Sequence, residues 1–237
     1  MARDRNMLPW LLAALGGAVA LAFTQRKTIM IYGAKALEAG KELLFQASLS
    51  NEAQPYSDLI LQVAREQNVD PFLIYALGQR ESRWGAALSP PGPAGTGDYG
   101  HGRGIMQVDD RSFADWLNSN DWGDAYTNVS KGAEILKAKI AFFGGKSAVN
   151  GLTDGATVSV SANQAAKRGV SPGSYPDPRP LSGEALTQAG IAAYNTGEGN
   201  VLISLAVGVD PETTTADGNY FTYVWNKMTE AANAFSA

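Results

Sequence analysis

Apolar residues recur at helical spacing along most of the chain. Leu59, Ile60, Val63 and Ala64 fall three and four residues apart and predict a helix ending near Asn68. Asp70-Pro71 is a cap followed by proline at the first helical position, and opens a helix through about Trp84. Its apolar residues Phe72, Leu73, Ile74, Ala76 and Leu77 run nearly all round, which predicts a central, buried helix. Thr127 to Phe143 carries a stripe of Val129, Ala133, Leu136 and Ile140. Glu184 to Asn195 and about Tyr220 to Phe235 complete the helical set. Strand alternation is confined to Thr157–Ser161, so the expected class is mainly α.

Two stretches break the helical pattern. Residues 85–104 are glycine-rich, contain Pro90, Pro91 and Pro93, and run into the apolar pair Ile105-Met106. The pattern predicts a small glycine-rich β-hairpin region there. Residues 144–183 are rich in Gly, Ser, Ala and Pro over forty positions, too many for a plain connection in a compact domain.

The amino terminus follows a different logic. Asn6 to Gln25 is twenty residues without a charge, about 30 Å as a helix, the thickness of a bilayer core. The first reading is a transmembrane anchor over residues 1–27. A cleaved signal segment is the second, because Arg3 and Arg5 precede the apolar run and Ala20-Leu21-Ala22 has the small-x-small form of a cleavage site. A buried soluble helix is the third. Arg26 and Lys27 balance Arg3 and Arg5, so charge does not orient the segment. Residues 28–54 read as a stalk helix followed by the polar linker Ser48–Gln54, which leaves 55–237 as the folded domain.

Composition narrows the chemistry. The chain of 237 residues has no cysteine and one histidine, His101. That excludes a disulfide scaffold, a thiol nucleophile and a Cys-ligated zinc site, and argues against a histidine-based metal site or a Ser-His-Asp triad. No metal and no other cofactor is expected. A net charge of −4 argues against a nucleic-acid partner, and the glycine run lacks the lysine and strand-turn-helix setting of a phosphate loop. What remains is carboxylate chemistry.

Glu81 lies near the C-terminal end of the apolar helix. Desolvation and the negative end of the helix dipole both favour its protonated form, as a general acid requires. The alternative is a surface pair with Arg80 or Arg83. Asp98 sits in the alternating run Gly97-Asp98-Tyr99-Gly100-His101-Gly102-Arg103-Gly104, and Asp109 ends Gly104-Ile105-Met106-Gln107-Val108-Asp109. Aspartates in such loops are commonly turn-formers. An acid on a helix followed by two acids across a glycine-rich hairpin also suits glycoside cleavage, where one acid protonates the leaving oxygen and another activates water.

These residues carry a resemblance. Glu81-Ser82-Arg83-Trp84-Gly85, then Gly97-Asp98 through Gly104-Ile105-Met106-Gln107-Val108-Asp109, then Ala193-Tyr194-Asn195-Thr196-Gly197-Glu198-Gly199-Asn200-Val201 resemble goose-type lysozymes, which share a fold with soluble lytic transglycosylases. The resemblance spans about residues 55–235 and implies a lysozyme-like helical domain. It further implies a muramidase that cleaves the β-1,4 bond between N-acetylmuramic acid and N-acetylglucosamine in peptidoglycan, with inversion. Carried over, Glu81 is the proton donor and Asp98 and Asp109 position and activate water. Gln107, Tyr194 and Asn195 match sugar-contacting or Glu-supporting positions, although Tyr194 could simply pack by the core and Asn195 cap a helix end. The segment Gly85–Gly97 is slightly long for the family, and 144–183 reads as an insertion.

Two other functions stay open. A lytic transglycosylase needs one carboxyl and leaves 1,6-anhydro ends; both aspartates favour hydrolysis over it. An inactive wall-binding or virion-structural module would lack Glu81, which is present. The expected setting is a catalytic domain held by its anchor at the membrane and facing the wall. By analogy, the anchor suggests a phage-type protein with virion or host-envelope partners.

Overall fold

The computed structural model describes residues 39–145 and 157–236. It is mainly helical with two small antiparallel sheets. The expected transmembrane helix lies outside the described residues. Among the described residues no helix is long and apolar enough to cross a membrane. The chain divides into two compact units, one formed by residues up to 133 together with 226 onward, the other by 134–225.

In the first unit α1 (Ala39–Ser48), α2 (Ser57–Gln67) and α3 (Pro71–Ser82) follow in order. The expected stalk and linker, residues 28–54, are joined to the fold at their C-terminal end. Phe45 is fully buried and its ring meets Phe72 at 5.2 Å, and Leu49 and Ala53 are buried too. Ser50 donates from its hydroxyl to Gln79 at 2.9 Å, so the polar stretch is a packed segment rather than a spacer. A polar sequence hid this, because its polar groups find partners on α3.

Helix α2 buries Ile60, Leu61, Val63 and Ala64 and stops where Asn68 turns left-handed at φ 54°. Helix α3 is capped by Asp70, whose carboxylate accepts from the Phe72 amide at 2.8 Å, with Pro71 in the first turn. The expected all-round burial is seen: Leu73, Ile74, Tyr75, Ala76, Leu77, Gly78 and Gln79 are all buried. The helix closes with Arg83 left-handed and paired backbone bonds, Arg83 N to Gln79 O and Trp84 N to Gly78 O. The Trp84 indole folds back beneath it, donates to the Tyr75 carbonyl at 3.1 Å and stacks on Tyr56.

The glycine-rich segment forms a three-stranded antiparallel sheet of two-residue strands, β1 (Thr96–Gly97), β2 (Gly102–Arg103) and β3 (Val108–Asp109). Gly97 pairs with Gly102 and Gly102 with Asp109, so the three lie in one row. Then follow α4 (Asp110–Ser119), which periodicity did not predict, and α5 (Ala125–Phe143).

In the second unit the stretch 144–183 holds more structure than its composition suggests. The alternation at 157–160 is strand β4 (Thr157–Val160), which pairs with β5 (Gly173–Pro176) across the short helix α6 (Ala162–Ala166). Val158 and Val160 point into a core with Phe142, Phe143, Ala193 and Leu202. Helix α7 (Gly183–Thr196) is followed after Gly197 by α8 (Glu198–Ala206); the last helix, α9 (Tyr220–Ser236), begins in this unit, and its residues from 226 belong to the first.

Burial pushes the Asp70 carboxyl up to about 6 from an ordinary 3.8, against the lowering effect of two amide donors. Between those values the folded chain binds a proton that the unfolded chain has lost, so stability contributed by this group falls as pH rises from about 4 to 6. Asp70→Asn keeps a capping oxygen and loses the titration. The melting-temperature difference, native minus Asp70→Asn, is therefore expected to shrink from pH 4 to pH 7; a difference independent of pH would contradict it.

Candidate active site

Glu81 is half-buried on the last turn of α3, and its neighbours fix that turn. Ser82 is buried; its hydroxyl donates to the Ile105 carbonyl at 2.7 Å and accepts from the Gly85 amide at 2.8 Å. Arg83, one of the two expected surface partners of Glu81, pairs instead with Glu52 at 2.6 Å. On the other side Asn128 of α5, fully buried, accepts from the Met106 amide at 2.8 Å and donates to the Arg103 carbonyl at 3.0 Å. Segment 103–106 is thus gripped from both helices. The fit is close at Gly104, φ 68°, where a Cβ would lie 2.3 Å from the Asn128 amide.

The sheet brings Asp98 and Asp109 together through a residue that sequence reasoning missed. Arg111, in the first turn of α4, donates from Nη2 to Asp98 at 2.7 Å and from Nε to Asp109 at 2.9 Å. Asp109 also caps α4 by accepting the Arg111 backbone amide at 2.9 Å. Burial pushes the Asp109 carboxyl up, but these bonds and the adjacent guanidinium outweigh it and hold the group below the usual carboxylate value. In return the carboxylates raise Arg111. A single Arg two positions beyond Asp109 gave no spacing signal; its role follows only from the register that places Asp98 beside the row of Gly97, Gly102 and Asp109.

A third acid stands next to this pair. Asp110 accepts from Arg103 at 2.9 Å and lies 2.8 Å from the His101 ring nitrogen, which together with the guanidinium holds its carboxyl low. Gln107 is committed to the sheet. Its Nε2 donates to the Gly104 carbonyl at 2.8 Å, and its Oε1 fills the space where a Cβ on Gly97 or Gly102 would stand. Beyond Arg111 the face of α4 from Arg111 to Trp116 forms a shallow concavity of about 340 Å³, and Lys131 lies over the Phe113 and Trp116 rings.

Tyr194 and Asn195 belong to the second unit, and the three acids to the first. Tyr194 is partly buried on α7. Asn195 is exposed, and its side-chain oxygen accepts the Ala216 amide at 2.8 Å, a tie to the 211–218 turns. Nearby, Glu198 at the start of α8 pairs with Lys139. Burial raises its carboxyl, but that lysine and the residue's own backbone amide bring it below the ordinary value.

The sequence model for "Lysozyme g" matches residues 24–147, just over half of the chain. The chain belongs to the lysozyme g family. The matched stretch includes Glu81, Asp98, Gln107 and Asp109 and ends before Tyr194 and Asn195, whose assignment rests on the third motif alone. The chain is similar to "Lysozyme G" of Dromaius novaehollandiae, 38% identical over 85 residues, which cover 36% of this chain and 38% of that protein. It is also similar to "Lysozyme g" of Cyprinus carpio, 35% identical over 102 residues, covering 43% of this chain and 50% of the relative. "Lysozyme g" of Casuarius casuarius is 38% identical over 85 residues, covering 36% and 42%. The chain thus spans half or less of the length of these lysozyme g relatives.

The Arg111 bridge has a consequence that needs no substrate. Replacing Arg111 by Ala removes the side-chain donor that holds Asp109 low. The Asp109 titration is expected to move up toward an ordinary carboxylate, with the backbone cap still in place. Carboxyl NMR titration of both proteins checks this; an unmoved Asp109 would show that the bridge does not form in solution.

Proposed function

We propose that the chain is a peptidoglycan hydrolase, a glycoside hydrolase of the muramidase type, cleaving the β-1,4 bond between N-acetylmuramic acid and N-acetylglucosamine with inversion. The observation that carries this reading is the pair Asp98 and Asp109, drawn to one guanidinium on a sheet that Ser82 ties to the helix end bearing Glu81. The relatives' names, all lysozyme g, support it.

In this mechanism the Glu81 carboxyl gives its proton to the glycosidic oxygen as the C1–O bond breaks. A water oxygen attacks C1 from the opposite face, and its proton passes to the carboxylate pair. A carboxyl held low by Arg111 is ionised at neutral pH, as a water-activating base must be. Arg111 is in this scheme a positioning residue. It holds both carboxylates on one guanidinium, which offsets the repulsion between them.

The measurement is a digest of purified peptidoglycan by the protein and by Glu81→Gln, with products resolved by mass. The expected products are muropeptides with reducing ends, and the variant is expected to lose on the order of 10²-fold or more of the rate. Products with 1,6-anhydro ends would assign transglycosylation instead. No products from the unmodified protein would assign a wall-binding module.

For location we propose that residues 6–25 anchor the chain in a membrane with the catalytic domain facing the wall. A net charge of −4 gives little attraction to an anionic wall, so tethering would supply the proximity that charge does not. The phage-type setting, with virion or host-envelope partners, is part of the same proposal and rests on the anchored arrangement alone. Deleting residues 1–27 should weaken wall lysis in cells at equal expression while digestion of purified wall is unchanged. Undiminished lysis in cells would remove the anchor from the mechanism.

A further inference from the structure

Tyr99 stands out among the described residues. It is fully exposed, 103% of its reference surface, and it has a left-handed backbone at φ 55°. That conformation costs a residue with a Cβ on the order of 1 kcal/mol, and the chain places glycine at the nearby left-handed positions 100 and 104. No burial of the ring offsets the strain. The backbone beneath it is nevertheless well fixed. His101 N donates to the Asp98 carbonyl at 3.0 Å, the strands on either side pair in register, and the preceding residue, Asp98, is held by Arg111. An aromatic ring is therefore presented outward, on a stiff tip, one residue from the carboxylate pair.

Water is a poor partner for both faces of a phenol ring, so such a ring is stabilised when an apolar surface covers it. The glycan strand supplies one of matching shape: the axial C–H face of a pyranose ring, which is flat and about as wide as the tyrosine ring. We propose that Tyr99 is a stacking platform for a sugar ring of the substrate strand, next to the bond being cut. The choice of sugar rests on the hydrolase reading. The ring sets affinity and the register of the strand; it takes no part in proton transfer.

The test separates this from the catalytic proposal by measuring binding in the inactive Glu81→Gln protein, with calorimetric titration of soluble peptidoglycan glycan strands. Adding Tyr99→Ala is expected to raise Kd about tenfold, the scale of one aromatic contact, while Tyr99→Phe stays within about twofold. Tyr99→Gly should bind as weakly as Tyr99→Ala yet unfold at an equal or higher temperature, because it relieves the left-handed strain. Unchanged binding by Tyr99→Ala, or an equal loss in Tyr99→Phe, would overturn the platform. So would a Glu81→Gln protein that binds no strand at all. If Tyr99→Ala weakens binding while the protein with Glu81 intact cleaves nothing, the platform stands and the hydrolase reading falls.

Discussion

The first unit depends on two buried polar side chains, one from α3 and one from α5, that bond to one short stretch of backbone. Ser82 reaches the Ile105 carbonyl from the end of α3, and Asn128 takes the Met106 amide and the Arg103 carbonyl from α5. Each such bond adds only about 1 kcal/mol net, but leaving its buried partner unsatisfied costs about 1–3 kcal/mol. The alternatives are therefore penalised more than the native arrangement is rewarded. Strands of two residues cannot hold a sheet in place by their own ladder. Here the position of the sheet relative to the helix end is set by side chains of the flanking helices, and Glu81 is the immediate neighbour of one of them.

On that fixed sheet the electrostatics are organised around guanidinium groups. Arg111 faces Asp98 and Asp109, while Arg103 shares Asp110 with His101. Arg103 also lies 5.6 Å from the Trp122 ring centre. These groups are partly exposed, so their pairwise energies are screened and small. Their value is geometric. An arginine fork makes several directed bonds from one rigid plane, which a lysine could not do from a point charge. Two such forks lie among Asp98, Asp109 and Asp110 and offset part of the repulsion between the three carboxylates.

Much of this was legible in the sequence, and for identifiable reasons. Helices α2, α3, α5, α7 and α9 bury a continuous apolar face or are apolar all round, and periodicity reads that directly. Helix α4 was missed because it buries a single residue, Leu117, and breaks helical geometry at Phe113. Helix α8 is hidden from periodicity by its glycines 197 and 199, of which only Gly197 turns the chain, at φ 83°. Glu81, Asp98 and Asp109 could be picked out by residue type and motif. Arg111, Ser82 and Asn128 could not, since their importance lies in which backbone group or carboxylate each meets across the fold. Gln107 could be picked out by motif as well, and its amide also fills the space beside Gly97 and Gly102.

The backbone of this segment also shows where strain is kept. Within 97–109 the backbone enters the left-handed region at Gly100 and Gly104, where it costs little, and at Asp98, Tyr99 and Gln107, where it costs more. A sequence free to place glycine throughout this segment keeps side chains at three positions that disfavour them. For Gln107 the compensation is visible in its bond to Gly104 and its fit against the sheet. For Asp98 it is the Arg111 fork. Tyr99 has no comparable contact to balance it within the folded chain, and strain without internal compensation is best accounted for by an interaction that forms only when another molecule arrives.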